Sequence, residues 1–404
     1  MPAADAPTGL SYPIPSEQPL EPPTEWAQLR QGCPVAPVTF PSGDAAVLLT
    51  RYADVRNVLS DPRFTRQLTA GDAARVTDSE SGGVFGNDSG ATFVGDGHVR
   101  WRRMVGRYFT NKRMDALRPG MAAMTDRLVD RMLESGPPAD LAAIVGFPLP
   151  VWVICDLLGV PESDRDKFAH WSDTMLDMGR YEQAEIISAQ AEFGAYMTGH
   201  IAAKRAEPGP DLLSELTTRT DADGVPLSDI ELVGTGQALL VAGHETTAGM
   251  IGKMVAMLLA DPRRWEQLVA GPTLIRSAVE EALRFDANPG FGMPRYLADS
   301  VEVAETALPA GTTVVCSMAA ANRDETAFDG ADEMDLSRTP NPHLAFGVGP
   351  YSCLGQSLAR TELQVVLGVL LRRLPSLRLA VAPDELRRVD GLIVGRLQEV
   401  PVRW

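Results

Sequence analysis

Between Pro226 and Pro262 the chain carries no proline, and a helix can run unbroken from Ser228 to Asp261. Ser228-Asp229-Ile230-Glu231 has capping-box spacing at its start. At about 1.5 Å per residue a helix of that reach crosses an entire molecule, so everything else has to be arranged around it. A helix in that position should be apolar and small, yet its middle reads Ala242-Gly243-His244-Glu245-Thr246-Thr247. Glycine weakens a helix interior, and an acid beside two threonines is awkward in a core. Such a local break reads as a groove opened for a ligand, with Glu245 and Thr246 placed to handle protons. A polar turn facing solvent is the plainer alternative.

A second constraint is Phe346-Gly347-Val348-Gly349-Pro350-Tyr351-Ser352-Cys353-Leu354-Gly355, which leads straight into the helical segment Gln356 to Leu374. Closely spaced glycines let the backbone adopt φ > 0 and approach a bulky group. Cys353 stands just before the helix start, where the helix dipole lowers a thiol pKa and favours the thiolate, the form that ligates metal. A lone cysteine ligand suits a haem iron better than zinc, which takes three or four protein ligands. A glycine-rich turn with a half-buried free cysteine fits the same residues equally well.

Around these two features the chain reads as follows. Residues 1–35 hold Pro13, Pro15, Pro19, Pro22 and Pro23 and form an extended arm. Val38 to Phe40 and Ala46 to Thr50 make a hairpin around Pro41-Ser42-Gly43-Asp44, and Tyr52 to Leu59 has helical spacing. Gln67 to Phe93 is polar and glycine-bearing, a long loop of the kind that binds or covers ligands. His98 and Arg102 then share a helix face, as a carboxylate clamp or simply a solvated surface. Scaffold helices are expected over Met121 to Leu133, Leu149 to Leu158, Glu162 to Met178 and Ala184 to Lys204. Leu274 to Phe285 is another helix, with Glu281 and Arg284 spaced for an ion pair, a commonplace arrangement. Arg295 is isolated in an apolar stretch, and Val301 to Val303 and Thr312 to Ser317 are strand-like.

Net charge is −16, so the whole-molecule field repels nucleic acid and anionic membrane. No apolar run is long enough to span a bilayer, and the first residues lack the pattern of a signal peptide, which places the protein in the cytoplasm. Cys33, Cys155, Cys316 and Cys353 are scattered, without paired metal-binding spacing or a disulfide framework. No linker or repeat divides the chain, and we read residues 1–404 as one domain.

In combination the motifs resemble those of the cytochrome P450 superfamily, in its soluble bacterial form, from about residue 50 to the end. The cysteine turn matches the family signature Phe-Gly-x-Gly-x-His-x-Cys-x-Gly except at Tyr351, where histidine is usual. Ala242-Gly243-x-Glu245-Thr246-Thr247, Glu281-x-x-Arg284 and His98-x-x-x-Arg102 match three further motifs in the family's order. The resemblance implies a mainly helical fold with a small β-rich region and haem b held between the long helix and the helix after Gly355. Cys353 would be the axial thiolate on iron, pushing electron density onto the metal. His98, Arg102 and Arg295 would bind the haem propionates, and Phe346, Tyr351 and Gly355 would also lie against the cofactor. A phenol at Tyr351 donates a hydrogen bond but no positive charge. Ala242 and Gly243 would leave room for dioxygen, Glu245 and Thr246 would relay protons, and Glu281, Arg284 and Arg338 would be structural.

The function so implied is a haem-thiolate monooxygenase that activates O2 and oxidises an organic molecule. With no Gly-x-Gly-x-x-Gly fingerprint and no iron–sulfur cysteine set, the chain holds no flavin or cluster of its own, and electrons come from a ferredoxin and its NAD(P)H-dependent reductase. A basic cluster of Arg100, Arg102, Arg103, Arg107, Lys112 and Arg113, with Arg372 and Arg373 on the helix after the cysteine, offers that partner a landing site. Phe85, Leu239, Asn288, Phe291, Met293 and Ile393 fall at pocket positions of the family. Their segments mix apolar side chains with Asn87 and Asn288 and have no dense charge, which suits a medium-sized, neutral or weakly polar natural product. Alternatives are an oxidase that couples or desaturates its substrate without oxygen insertion, a peroxygenase, and a haem-binding sensor.

Overall fold

A computed structural model describes residues 10–76, 95–175, 181–287, 290–389 and 394–404. In chain order its helices are α1 (Glu25–Gly32), α2 (Tyr52–Ser60), α3 (Gly95–Val105), α4 (Asn111–Ser135), α5 (Pro148–Leu158), α6 (Arg165–Met175), α7 (Gln183–Ala206), α8 (Leu212–Thr218), α9 (Asp229–Ala260), α10 (Pro262–Ala270), α11 (Ile275–Phe285), α12 (Met318–Ala321) and α13 (Gln356–Arg373). The strands are β1 (Leu10–Ser11), β2 (Val35–Thr39), β3 (Ala45–Leu49), β4 (Phe64–Thr65), β5 (Ala139–Asp140), β6 (Met293–Leu297), β7 (Val301–Val303), β8 (Thr306–Leu308), β9 (Thr313–Cys316), β10 (Arg378–Leu379) and β11 (Pro401–Arg403).

The long helix is continuous. Ser228 caps it by accepting from the Glu231 N–H, and the Glu231 side chain accepts from the Ser228 N–H, so the box closes in both directions. Asp261 ends it and caps α10 through the Arg263 N–H. α9 packs against α5, α7, α11 and α13, and α13 lies along α4. The largest apolar core surrounds α9, whose Leu240, Ile251, Met254, Val255 and Ala256 are fully buried.

β1, β2, β3, β9, β6 and β4 form one mixed sheet in that order. Its register matters for the site. β4 pairs antiparallel with β6, Phe64 opposite Leu297 and Thr65 opposite Tyr296, so the next residue, Arg66, comes opposite Arg295.

Two sequence readings change. The proline-rich arm is not simply extended: prolines cluster before residue 24, and beyond them α1 forms and buries Trp26, Leu29 and Arg30, while β1 pairs in parallel with β2. The helix expected from Met121 starts at Asn111, because Pro119 removes only one N–H and Thr110 caps the start through the Arg113 N–H. Of the long loop after Gln67, only the part to Val76 is among the described residues, and it holds no helix or strand.

Candidate functional site

The cysteine turn is built by hydrogen bonds and two left-handed glycines. Gly347 has φ +63° and Gly349 φ +77°. A Cβ on Gly349 would stand 2.5 Å from the Leu59 carbonyl oxygen, so this position needs glycine for both conformation and space. The Cys353 N–H donates to the Phe346 carbonyl at 2.8 Å, and Gly355 opens α13 with nothing within 4 Å of its missing side chain. Phe346 lies beneath the Arg360 guanidinium, 4.4 Å away. Cys353 is exposed to the open space beside the turn.

The thiol does not behave as its place at a helix start predicts. Desolvation by the surrounding protein pushes the Cys353 pKa up, outweighing the Gly355 N–H and the positive charges of Arg102, Arg360 and Arg66 that pull it down. A thiolate here needs a further cation on sulfur, which an iron ion provides.

Beside the turn, side chains from three elements converge on Tyr351. His98 of α3 has its ring 4.5 Å from the Tyr351 ring, and Arg295 of β6 lies 5.3 Å over it. Arg66 lies 4.7 Å over the same ring and donates to the Tyr351 carbonyl at 3.3 Å. Arg102, one helical turn after His98, donates to Ser352 Oγ at 3.0 Å. Among the described residues no carboxylate pairs with any of these four, and the Nε of Arg66 and of Arg295 lacks a hydrogen-bond partner. Burial and mutual repulsion show in their titration. Arg66 is pushed down to about 10 by desolvation and then by Arg295. His98 falls to about 4 through desolvation and the charges of Arg66, Arg102 and Arg295, so the imidazole is neutral at pH 7 and acts as a hydrogen-bonding group rather than a cation.

Buried positive charge without a counter-ion is costly, and a bound dianion removes that cost. The residues therefore fit a haem, whose two carboxylates would meet the arginines while its iron meets Cys353. Arg66 escaped sequence reasoning because no motif marks it. The signal that finds it is the strand register opposite Arg295.

The polar turn of α9 is the other half of the expected site. Ala242 is exposed there, and Thr246 Oγ1 donates to the Ala242 carbonyl at 2.8 Å. Leu239, three residues before Ala242 and on its face, is nearly buried. Gly243 faces elsewhere. A Cβ on it would stand 2.8 Å from Ile154 of α5, so this glycine lets the two helices pack closely. Glu245 is buried, with His244 Nε2 3.5 Å from one carboxylate oxygen and Arg396 Nη1 3.7 Å from the other. His244 and Arg396 were not singled out in the sequence.

Of the other pocket positions, Met293 is half-buried on the same face of β6 as Arg295. Phe291 is not in the pocket. Its ring packs in an apolar core between Tyr12 and Phe40, 5.1 and 5.5 Å away, and its carbonyl accepts from the Tyr12 hydroxyl. Phe85, Asn288 and Ile393 lie outside the described residues.

Glu281 and Arg284 are fully buried and form a bidentate pair at 2.8 Å. Arg338 Nε, the Asp335 N–H and Asn341 Nδ2 also donate to the Glu281 carboxylate, and Arg284 donates to the carbonyls of Asn322, Ala331 and Glu333. This closed network pins the segment that leads into the cysteine turn.

The basic surface is smaller than the sequence indicates. Arg372 and Arg373 pair with Asp126 and Asp130, Arg100 with Asp221 and Glu231, and Arg113 with Glu215. Arg103, Arg107 and Lys112 are exposed and have no carboxylate partner among the described residues. The turn that carries Arg107 abuts Leu354 through Gly106. Among the described residues no helix is long and apolar enough to cross a membrane.

Comparison with known proteins gives a consistent result. The cytochrome P450 family profile matches residues 272–384. Mycinamicin IV hydroxylase/epoxidase from Micromonospora griseorubida is 41% identical over 382 residues, 94% of each chain. Nocardicin C N-oxygenase from Nocardia uniformis subsp. tsuyamanensis is 40% identical over 399 residues, 98% of each chain. The crystal structure of SgvP, assigned as a thioether synthase in the tailoring step of griseoviridin, superposes with a TM-score of 0.92 at 38% identity, covering 98% of this chain and 100% of that one. The chain belongs to the cytochrome P450 family and is a P450 monooxygenase.

Proposed function

We propose that the chain holds haem b between α9 and α13 and, with electrons from a ferredoxin and its NAD(P)H-dependent reductase, oxidises a medium-sized, neutral or weakly polar natural product. The observation that carries the haem site is the group of Arg66, Arg102, Arg295 and His98 around Tyr351, without a carboxylate of its own and directly beside Cys353. In this reading Cys353 is the axial ligand, and the arginines and His98 receive the two propionates. Bound there, the haem supplies an iron at which dioxygen is reductively activated.

The chain's own residues do the rest. Ala242 leaves the distal side open, and Glu245 passes a proton from its carboxyl group toward Thr246 Oγ1. Glu281, Arg284 and Arg338 hold the turn still while the thiolate is ligated. Arg103, Arg107 and Lys112 present positive charge next to the cysteine turn, which suits an acidic electron donor.

The relatives named above act on mycinamicin IV and nocardicin C, which supports a natural-product substrate here. The likeness to SgvP favours a second reading, oxidation that joins atoms without inserting oxygen. A natural-product library screened for a Soret blue shift, followed by turnover with a surrogate ferredoxin and reductase, tests both. A product heavier by one oxygen atom supports monooxygenation, and one lighter by two hydrogens supports coupling or desaturation. Turnover indifferent to the ferredoxin contradicts the proposed electron source.

A further inference from the structure

Glu281 closes the network that pins the cysteine turn, but Glu280, its neighbour on α11, belongs to a different one. Successive helix residues are rotated by about 100°, and Glu280 meets α13 instead. Arg360 Nε donates to both of its carboxylate oxygens, at 2.8 and 3.0 Å. His343 Nε2 lies 3.0 Å from one of them, and His343 Nδ1 accepts from the Ala345 N–H at 3.2 Å. With Nδ1 an acceptor, the ring proton is on Nε2, and a neutral imidazole donates to the carboxylate. Burial alone would raise the Glu280 pKa; the hydrogen bonds from His343 and Arg360 outweigh it and bring the pKa down, so the carboxylate is ionised. The far side of the arginine is held as well. Gln356 Oε1 accepts from Arg360 Nη1 at 3.0 Å, and the guanidinium lies 4.4 Å over the Phe346 ring. Phe346 is the residue whose carbonyl receives the Cys353 N–H. The pair is thus oriented, its cation against the cysteine turn and its carboxylate toward His343. Burial raises the Cys353 pKa, and the charges that pull against it are those of Arg102, Arg360 and Arg66. Arg102 and Arg66 belong to the group around Tyr351, where two propionates would offset their charge. Arg360 does not.

We propose that Arg360, held over Phe346 by Glu280 and His343, is the positioning residue that sets electron density on the Cys353 sulfur and, through it, the reduction potential of the haem. The inference rests on the reading that Cys353 ligates haem iron. A cation beside the sulfur stabilises negative charge there, weakens its donation to the metal and favours the reduced state. Arg360 and Glu280 are 30% and 22% exposed, so solvent screens the effect without abolishing it. Because the two members of the pair carry opposite charge, removing one or the other moves the potential in opposite directions. A purely structural contact would not do this, since either substitution loosens the same bond.

The test compares wild-type, Arg360→Gln, Arg360→Lys and Glu280→Gln holoenzymes. Spectroelectrochemical titration gives the haem potential, and the stretching frequency of carbon monoxide on the reduced enzyme reports electron density at the metal. Arg360→Gln should lower both. Glu280→Gln should raise both, because its amide oxygen still accepts from Arg360 Nε while the negative charge is gone. Arg360→Lys, which keeps the cation, should lie nearer the wild type than Arg360→Gln does. Unchanged values, or shifts of the same sign in Arg360→Gln and Glu280→Gln, overturn the inference. If Arg360→Gln does not hold haem, the sign of the shift in Glu280→Gln decides alone. The CO-bound absorption spectrum separates the two levels of the account: a wild type without the thiolate band overturns the ligand reading as well, whereas an intact band beside same-sign shifts overturns the tuning role only.

Discussion

The Arg66 guanidinium lies 4.7 Å over the Tyr351 ring, on a strand extension that brings it opposite Arg295. Charge-assisted hydrogen bonds contribute about 1.5–3 kcal/mol each, so Arg66→Gln should speed haem loss roughly 10- to 100-fold. Haem transfer to an excess of apomyoglobin measures this. Loss at the wild-type rate would show that the anion sits elsewhere.

Tyr351→His should leave the haem bound, because Arg66, Arg102 and Arg295 remain and an imidazole can donate a hydrogen bond as the phenol does. An imidazole there is neutral at pH 8 and takes up a proton as pH falls, adding positive charge near the haem, whereas the phenol stays neutral throughout. The haem potential should then move only as the solution is acidified. Spectroelectrochemical titration at two pH values checks the pattern, and a large shift at pH 8 contradicts it.

Gly243→Ala and Gly349→Ala separate two kinds of glycine. At Gly243 the new methyl meets the flexible Ile154 side chain, so overpacking should cost about 1–3 kcal/mol while substrate-induced spectral shifts persist. At Gly349 the methyl meets backbone in a left-handed conformation, and little folded holoprotein should be recovered. Thermal melts and haem content read both. Loss of oxygen binding in a stable Gly243→Ala protein would place that glycine in the oxygen pocket.

The haem-free protein should lose stability as pH falls from about 6.5 to 4. His98 ordinarily protonates at 6.5 but stays neutral in the fold down to about 4, so across that window the unfolded state takes up a proton that the native state refuses. Above 6.5 both states are neutral and His98 adds no slope. Urea titrations of wild-type and His98→Gln apoprotein should diverge only in this window, and parallel curves would remove the cause assigned to His98.

Local rules carried the long helix, the capping box at Ser228, the hairpin and the Glu281–Arg284 pair, because each depends on residues a few positions apart. Arg66 was invisible for the opposite reason: only pairing of two distant strands places it beside Arg295. Phe291 was misplaced because a residue's neighbourhood in sequence does not say which way it faces. The thiol of Cys353 went astray on energetics, since a helix dipole of a few tenths of a charge does not offset desolvation. Arg372 and Arg373 looked free until α4 supplied Asp126 and Asp130.

The central claim is that Cys353 ligates haem iron as a thiolate. The reduced, CO-bound absorption spectrum of wild-type and Cys353→Ser proteins tests it most directly. The wild type should show the red-shifted thiolate band and Cys353→Ser should lack it; retention of that band in Cys353→Ser would contradict the assignment.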